Sequence, residues 1–444
     1  MRIAVIGSGI SGLAAAHRLR AQARVTVFEA GDYFGGHTHT VDVSLPDASG
    51  QVVTHGVDTG FLVFNERTYP GLIALLDELD VPTARSDMSF SVQAPGASIL
   101  GTGTLEWSGS NLRTVFAQKR NLLRPRFWGM LQELLRFNRL CTALAKSGEE
   151  AALRQPLGAF LDQHRFGAAF RDWYFLPMLG CIWSCPTDQM LLFPVATMVR
   201  FCHNHGLLQV SHRPQWFTVA GGARQYVRHL LQGVDARLST PVRRIVRDAA
   251  GVHIYSRSPD GSEQVERFDA VVLAVHSDQA LRLLAKPTVQ EGLVLQAIRY
   301  QSNRAVLHTD ASVLPRRRSA WAAWNYERAA SAAGSDSAHA PSRVCLHYWL
   351  NGLQPLPFAQ PVLVSLNPVR PLDPATVLAE FDYDHPVFDM GAIAAQALVP
   401  QLQGVQGTWF CGAWTGYGFH EDGLQSGYRA AESLLAQIPR QKVA

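Results

Sequence analysis

Apolar positions come in blocks at the start of the chain. Arg2-Ile3-Ala4-Val5-Ile6 is a short apolar run of the kind shown by a strand buried on both faces. Gly7-Ser8-Gly9-Ile10-Ser11-Gly12 follows at once and leads into a helical stretch from Leu13 to Arg20. The predicted order is strand, glycine turn, helix. The glycines have separate tasks: Gly7 permits the tight turn, Gly9 lets backbone approach a pyrophosphate, and Gly12 lets the helix lie close on the strand. A phosphate then meets the helix N-terminus, where unpaired N–H groups favour an anion. A second run, Arg24 to Phe28, ends in Glu29, placed to accept hydrogen bonds from both ribose hydroxyls of an adenosine. This favours a dinucleotide without a 2′-phosphate.

The rest of the chain adds further blocks. Thr240-Pro241-Val242-Arg243-Arg244-Ile245 and the apolar Phe268 to Ala274 read as strands, and Thr408-Trp409-Phe410-Cys411-Gly412 as a strand ending in glycine. Tyr417 to Gly423 then leads to a helical stretch from Leu424 to Leu435. From Ala117 to Leu140, Lys119, Arg120, Arg124, Arg126, Arg136 and Arg139 stand against the single acid Glu133, with Phe127, Met130, Leu131 and Leu134 at helical spacing. Such a stretch suits either an anionic membrane surface or a solvated helix with its apolar face on the core. Arg316-Arg317-Arg318 is a second basic cluster, with an ordinary surface loop as its other reading. Ala329 to Ser342, rich in Ala, Ser and Gly, reads as a loose loop.

Composition bounds the rest. With 444 residues, 47% of them apolar and 17% charged, the chain is long enough for two domains with a sizeable core. Met1 runs straight into the first strand, which does not resemble a signal peptide, and no apolar run reaches the roughly 18 residues needed to span a bilayer. Six cysteines without a secretory segment predict free thiols and a cytoplasmic protein. A net charge of +4 is too small to argue for nucleic acid. Cys181, Cys185, Cys202, His203 and His205 crowd together, but not at the spacing of zinc pairs, and no metal site is expected.

The choice between NAD and FAD comes from other segments, which resemble the flavin-dependent amine oxidase superfamily, including phytoene desaturases and protoporphyrinogen oxidases. Gly35-Gly36-His37 is similar to the family's Gly-Gly-Arg beside the FAD phosphates, with His37 in place of the arginine. Asp58-Thr59-Gly60 resembles its loop near the isoalloxazine; Val242 matches the adenine contact and Ala274 the pyrophosphate-side strand. The C-terminal segment resembles the one that closes over the flavin. By that resemblance Gly412, Glu421, Asp422, Gly423, Gln425 and Ser426 line FAD together with Gly7, Gly9, Gly12 and Glu29. Glu421 and Asp422 also suit plain capping of a helix N-terminus, and both roles can hold together. The resemblance implies an α/β fold: a Rossmann-type FAD-binding domain from 1–78, 215–285 and 400–444, interleaved with an α+β substrate-binding domain from 79–214 and 286–399. Cys411 and Cys345 lack the surroundings of a flavin-linked cysteine, so non-covalent FAD is expected.

Ile182 to Pro186, His203 to Leu208, Arg213 to Trp216 and Leu307 to Asp310 narrow the likeness. They resemble bacterial flavoproteins found beside cyclopropane fatty acid synthase-like methyltransferases. That group implies oxidation of a modified fatty acyl chain, a lipid substrate, a methyltransferase partner and a place at the inner membrane face. Many amine oxidases hold a water near the flavin with a lysine; the matching positions here are Asn303 and Arg304, which with His205 are the catalytic candidates. The missing lysine counts against amine chemistry. A true amine oxidase and a non-catalytic flavoprotein that binds lipid or a methyltransferase remain the rivals.

Overall fold

The computed structural model describes residues 1–95, 103–147, 153, 155–209, 213–328 and 344–437. The loop expected from Ala329 to Ser342 lies outside them, as do residues 438–444.

Arg2–Ile6 and Arg24–Phe28 form strands at the expected places, because an uninterrupted apolar run is stable only where both faces are covered. They belong to a five-stranded sheet, in the order Asp235–Arg237, Arg24–Phe28, Arg2–Ile6, Ala270–Leu273, Thr408–Phe410, and every neighbouring pair is parallel. The apolar block from Phe268 to Ala274 is divided: Phe268 ends an antiparallel strand, and Ala270–Leu273 joins the parallel sheet.

Helices Ile10–Leu19 and His420–Gln437 cover one face of this sheet, with Ile3, Val5, Ala15, Trp409, Ala430 and Leu434 in the shared core. Their closeness needs glycine. A Cβ on Gly427 would stand 2.2 Å from the Ser11 carbonyl oxygen, and one on Gly423 2.8 Å from the Ile10 side chain. The terminal helix starts at His420, four residues before the expected Leu424. On the other face lie the antiparallel strands Val242–Asp248, Gly251–Arg257 and Glu263–Phe268, packed through Ile245, Ile254 and Phe268. Helices Val289–Gln296 and Met390–Gln396, which the sequence pattern assigns to the substrate side, supply Val294, Leu295, Ala392 and Ala395 to this same core.

The second layer is a seven-stranded mixed sheet ordered Val377–Val387, Arg299–His308, Leu363–Leu366, Cys345–Trp349, Trp324–Glu327, Phe90–Pro95, Thr104–Ser108. Helices Pro125–Ser147, Leu176–Trp183 and Val195–Asn204 contribute to the large core packed with it. In the first of these, Phe127 and Met130 are buried in that core, so the core reading holds for them. No helix among the described residues is long and apolar enough to cross a membrane.

Candidate active site

The carboxyl ends of Arg2–Ile6, Arg24–Phe28, Ala270–Leu273 and Thr408–Phe410 open into a cavity of about 710 Å³. This is where parallel α/β sheets bind ligands, since the loops beyond the strand ends are free to vary while the sheet holds them still. Gly7 turns with φ +98°, and a Cβ there would stand 2.7 Å from the Ala274 carbonyl oxygen. A Cβ on Gly12 would stand 2.0 Å from the Gly7 carbonyl oxygen. At Gly9 an added Cβ meets nothing within 4 Å, so the wall there is open backbone. The helix that follows carries no side-chain cap and no acid in its first turn, which leaves its N-terminal N–H groups to an anion.

Glu29 is held in place by its neighbours. One carboxylate oxygen accepts the Ser8 N–H at 3.0 Å and the Ser8 hydroxyl, and the other accepts the Gly31 N–H at 2.9 Å. The Ser8 hydroxyl oxygen also accepts the Gly35 N–H at 3.1 Å, tying the two glycine loops together. Gly36 takes φ +58°, and its Cβ would lie 3.2 Å from the Gly9 Cα. His37 follows in the wall. Its Nε2 is shielded from solvent without a hydrogen-bond partner, and burial holds the imidazole well below its usual pKa, hence neutral. Val242, Arg243, Ala274, Val275, His276, Gln279 and Arg282 complete this part.

Further wall residues are Tyr69, Met88, Cys181, Ile182, Ser184, Phe201, His205, Leu207, Trp216, Trp324, Tyr348 and Phe419, and strand Val377–Val387 adds Asp384, His385 and Pro386. Asp384 is the charged residue among them. His205 stacks on Phe201 at 3.8 Å between ring centroids, and its Nδ1 donates to the Phe201 carbonyl at 3.0 Å. Burial lowers its pKa to about 4, so the ring is neutral at pH 7 with the Nε2 lone pair left over. Where the two parts meet, His420 stacks on Phe61 at 3.8 Å and bonds the Tyr226 hydroxyl at 2.7 Å; burial brings its pKa to about 3.

Family-model comparison covers nearly the whole chain: residues 10–435 match the family described as flavin containing amine oxidoreductase. The chain belongs to this family. It is an FAD-dependent oxidoreductase with an amine oxidase-like fold. Among solved structures it is similar to cyclohexylamine oxidase from Brevibacterium oxydans IH-35A, with 17% identity, 99% of each chain covered and a TM-score of 0.65. It is also similar to a CLA-producing fatty acid isomerase from P. acnes, with 17% identity, 98% of each chain covered and a TM-score of 0.63. No curated protein sequence matches the chain.

The cavity fits the cofactor that the family carries. The open backbone over Gly9, the uncapped helix N-terminus and the unpartnered His37 Nε2 are the features that a pyrophosphate would complete. The flavoprotein differs from the sequence expectation at several other positions, whose side chains are engaged away from the cavity wall. Asp58 accepts the Ala223 N–H and the Thr40 hydroxyl, and burial raises its pKa to about 6. Thr59 bonds the Tyr383 hydroxyl at 2.8 Å, leaving Gly60 as the residue of that triplet in the wall. Glu421 accepts the N–H groups of Gly71 and Leu72, both at 2.9 Å, and so caps helix Pro70–Glu78. Asp422 accepts the Phe419 N–H, Gln425 bonds Glu421, and Ser426 accepts the Gly412 N–H at 2.9 Å. Gly423 serves helix packing. Of the six C-terminal candidates, Gly412 lines the cavity and the others shape the loops that do.

The catalytic candidates separate in the same way. Arg304 points outward and pairs with Glu380 at 2.7 Å, its side chain 54% exposed, and it is not part of the cavity wall. Asn303 is buried and bonds His385 at 3.0 Å; His385, not Asn303, reaches the wall. His205 lies in the wall itself. Trp183 is buried behind Phe201, and Asp310 caps the turn Ala311–Val313.

His276, Tyr300, His385 and His420 line the cavity without any signal used in the sequence reading. His276 was open to inference, as it follows the end of a parallel strand. His385 and Tyr300 sit on long antiparallel strands, where pattern alone gives no hint. Cys181, Cys185, Cys202, His203 and His205 do not converge. The one group among the described residues with such ligand atoms within 4.8 Å of one another is Glu327, Cys345 and His347, and there Arg370 already pairs with the carboxylate at 2.9 Å.

Proposed function

We propose that this flavoprotein dehydrogenates a modified fatty acyl chain of a membrane lipid, taking hydride from a carbon beside an alkene or methyl branch. The supporting observation is the stretch of cavity wall made by Met88, Ile182, Phe201, Leu207, Trp216, Trp324, Tyr348 and Phe419, which is aromatic and apolar, while the acid that the seven-stranded sheet adds to the wall, Asp384, is next to His385. A long neutral chain is desolvated there without leaving a buried charge unpaired. Bound FAD supplies the hydride acceptor. Gly7, Gly9, Gly12, Glu29, Gly35, Gly36, His37, Gly60, Val242, Ala274 and Gly412 are the residues we assign to holding it. The protein's own contribution is position, exclusion of water and a place for the proton. An alkene next to the reacting carbon delocalises the positive charge that develops as hydride leaves. Loss of a proton then yields a diene, so the chain gives up one hydride and one proton in all.

His205 is the group we assign to that proton. It stands in the uncharged part of the wall, and its Nδ1 is fixed as donor to Phe201, which directs the lone pair to Nε2. His205→Gln is expected to slow diene formation, followed by lipid mass, about a hundredfold, the lower range for losing a general base, and to change flavin reduction less, since hydride leaves before the proton. An unchanged rate of diene formation would remove His205 from the mechanism. Glu29→Ala is expected to weaken FAD binding by about 1–3 kcal/mol, the scale for hydrogen bonds to a charged acceptor. Titration of the apoprotein with FAD measures it, and equal affinity would show that Glu29 does not hold the ribose.

The reading places the enzyme at the cytoplasmic face of the inner membrane and makes a lipid methyltransferase its partner, as the source of the branch. Lipid profiles of the host with and without the gene test this: loss should remove a diene and leave its methylated monoene precursor. Identical profiles would contradict it. A second reading, amine oxidation, has one observation in its favour, the rings of Phe201, Trp216, Trp324 and Phe419, since stacked aromatics also accept a cation.

A further inference from the structure

Two basic clusters far apart in sequence meet on one face. The turn Arg318–Ala320 packs against helix Leu112–Val115, which brings Arg316, Arg317 and Arg318 beside Arg113. The chain is fixed there from below: the buried Glu106 carboxylate accepts the N–H groups of Arg316 and Arg317, the former at 3.0 Å. Lys119 and Arg126 continue the charge along the turn Lys119–Leu123 and into the following helix. All of these cations are exposed, and Arg113, Lys119, Arg126, Arg316 and Arg317 make no ion pair among the described residues. From Trp107 to Gln132 there is no acid.

The same face exposes large apolar side chains. Leu112 is 79% exposed and Leu123 86%, while Leu122 and Trp128 are about half exposed. Their segments are linked: the Trp128 indole N–H donates to the Leu122 carbonyl at 2.9 Å, the Trp128 ring meets Phe116 at 5.3 Å, the Phe116 N–H bonds the Leu112 carbonyl, and Leu123 follows Leu122 in the chain. Isolated exposed leucines need no explanation, but a linked set ringed by unpaired cations does. Phe127 and Met130 face inward, so the patch is made by the turn and the first residues of the helix.

We propose that this face docks on an anionic phospholipid bilayer, with Leu112, Leu122, Leu123 and Trp128 entering the headgroup boundary and the cations meeting lipid phosphates. The identity of the partner rests on charge complementarity: unpaired positive charge around an apolar tip matches a negative surface with an apolar interior. The position serves the acyl-chain reading, on which this inference rests. Helix Pro125–Ser147 packs on Val195–Asn204, whose Phe201 lines the cavity, so docking brings the bilayer to the helices of the substrate wall.

Flotation of holoenzyme with phosphatidylcholine vesicles, with and without phosphatidylglycerol, tests the docking. Binding should require phosphatidylglycerol and weaken at high salt. Leu112→Glu with Leu123→Glu should lower binding at least about tenfold, and Lys119→Glu should lower it at least about fivefold. FAD content and thermal midpoint should match the parent, since these side chains are exposed. In parallel, detergent-solubilised phospholipid with a methylated monounsaturated chain is offered to the parent and the variants. Equal flavin reduction by all of them, with vesicle binding lost in the variants, is the expected result. The docking is overturned if the parent ignores anionic vesicles, if the variants bind as well, or if the leucine variants instead dissolve a dimer seen by size exclusion. Vesicle binding that depends on the patch, with no flavin reduction in detergent, would leave the docking standing and sink the lipid substrate.

Discussion

Gly12→Ala is expected to yield a protein that is both less stable and nearly free of flavin, whereas Gly9→Ala loses flavin alone. The difference follows from what each new Cβ meets. At Gly12 it would stand 2.0 Å from the Gly7 carbonyl oxygen and 3.0 Å from the Ala274 side chain, so the helix must move off the strand that begins the cavity. Such overpacking costs about 3 kcal/mol at the upper end of its usual range. The shift also carries the helix N–H groups away from the phosphate. A loss of that same size in binding is about a hundredfold in FAD affinity. At Gly9 nothing in the protein lies within 4 Å, and the backbone already has ordinary φ and ψ, so folding tolerates alanine. The methyl group would stand where a pyrophosphate approaches. Thermal scans of the two apoproteins, with FAD titrations beside them, check this. Equal stability of Gly12→Ala and the parent would contradict it.

Arg247→Met is expected to lower stability by about 3–5 kcal/mol, the cost of leaving one partner of a buried ion pair alone. Arg247 reaches both carboxylate oxygens of Glu291, at 2.6 and 2.9 Å, and the two side chains are 3% and 0% exposed. It also bonds the Lys286 carbonyl and the Thr408 hydroxyl, so one guanidinium ties the strand Val242–Asp248 to a helix and to the terminal strand. Burial raises the Glu291 pKa, but the Arg247 bonds outweigh it and the net shift is downward. A carboxylate depressed in the folded state contributes stability above its unfolded pKa, and that contribution fades as pH falls through the folded value. Without Arg247 burial alone acts on Glu291 and raises its pKa, so the deficit of Arg247→Met should be largest at high pH and shrink steadily as the pH falls and the variant's buried carboxyl becomes protonated. Denaturation midpoints at several pH values measure it. A deficit under about 1 kcal/mol at pH 7 would show the pair to be dispensable.

Much of the nucleotide half was legible because parallel strands buried on both faces leave continuous apolar runs. The strands Arg2–Ile6 and Arg24–Phe28 stand as read, and the glycine turn between them leads into a helix, Ile10–Leu19, that starts three residues before the expected Leu13, since each of these depends on local chemistry. The C-terminal acids were harder. Glu421 caps a helix that lies 349 and 350 residues earlier in the chain, a contact no local pattern reveals. Asn303 and Arg304 show the limit of one-residue register: side chains on a strand alternate, so one is buried beside His385 while its neighbour meets solvent. The basic stretch was legible in charge but not in facing. Its helical apolar spacing belongs to the core, and the exposed Leu122 and Leu123 precede the helix.

The central claim is that an uncharged acyl chain, not an ammonium, gives up hydride in this cavity. Anaerobic mixing of the holoenzyme with detergent-solubilised phospholipid carrying a methylated monounsaturated chain tests it most directly, with cyclohexylamine and putrescine mixed separately. The account predicts that the lipid bleaches the flavin absorbance and loses two hydrogens in mass, while neither amine bleaches it. Prompt bleaching by an amine, with the lipid unchanged in mass, would contradict it.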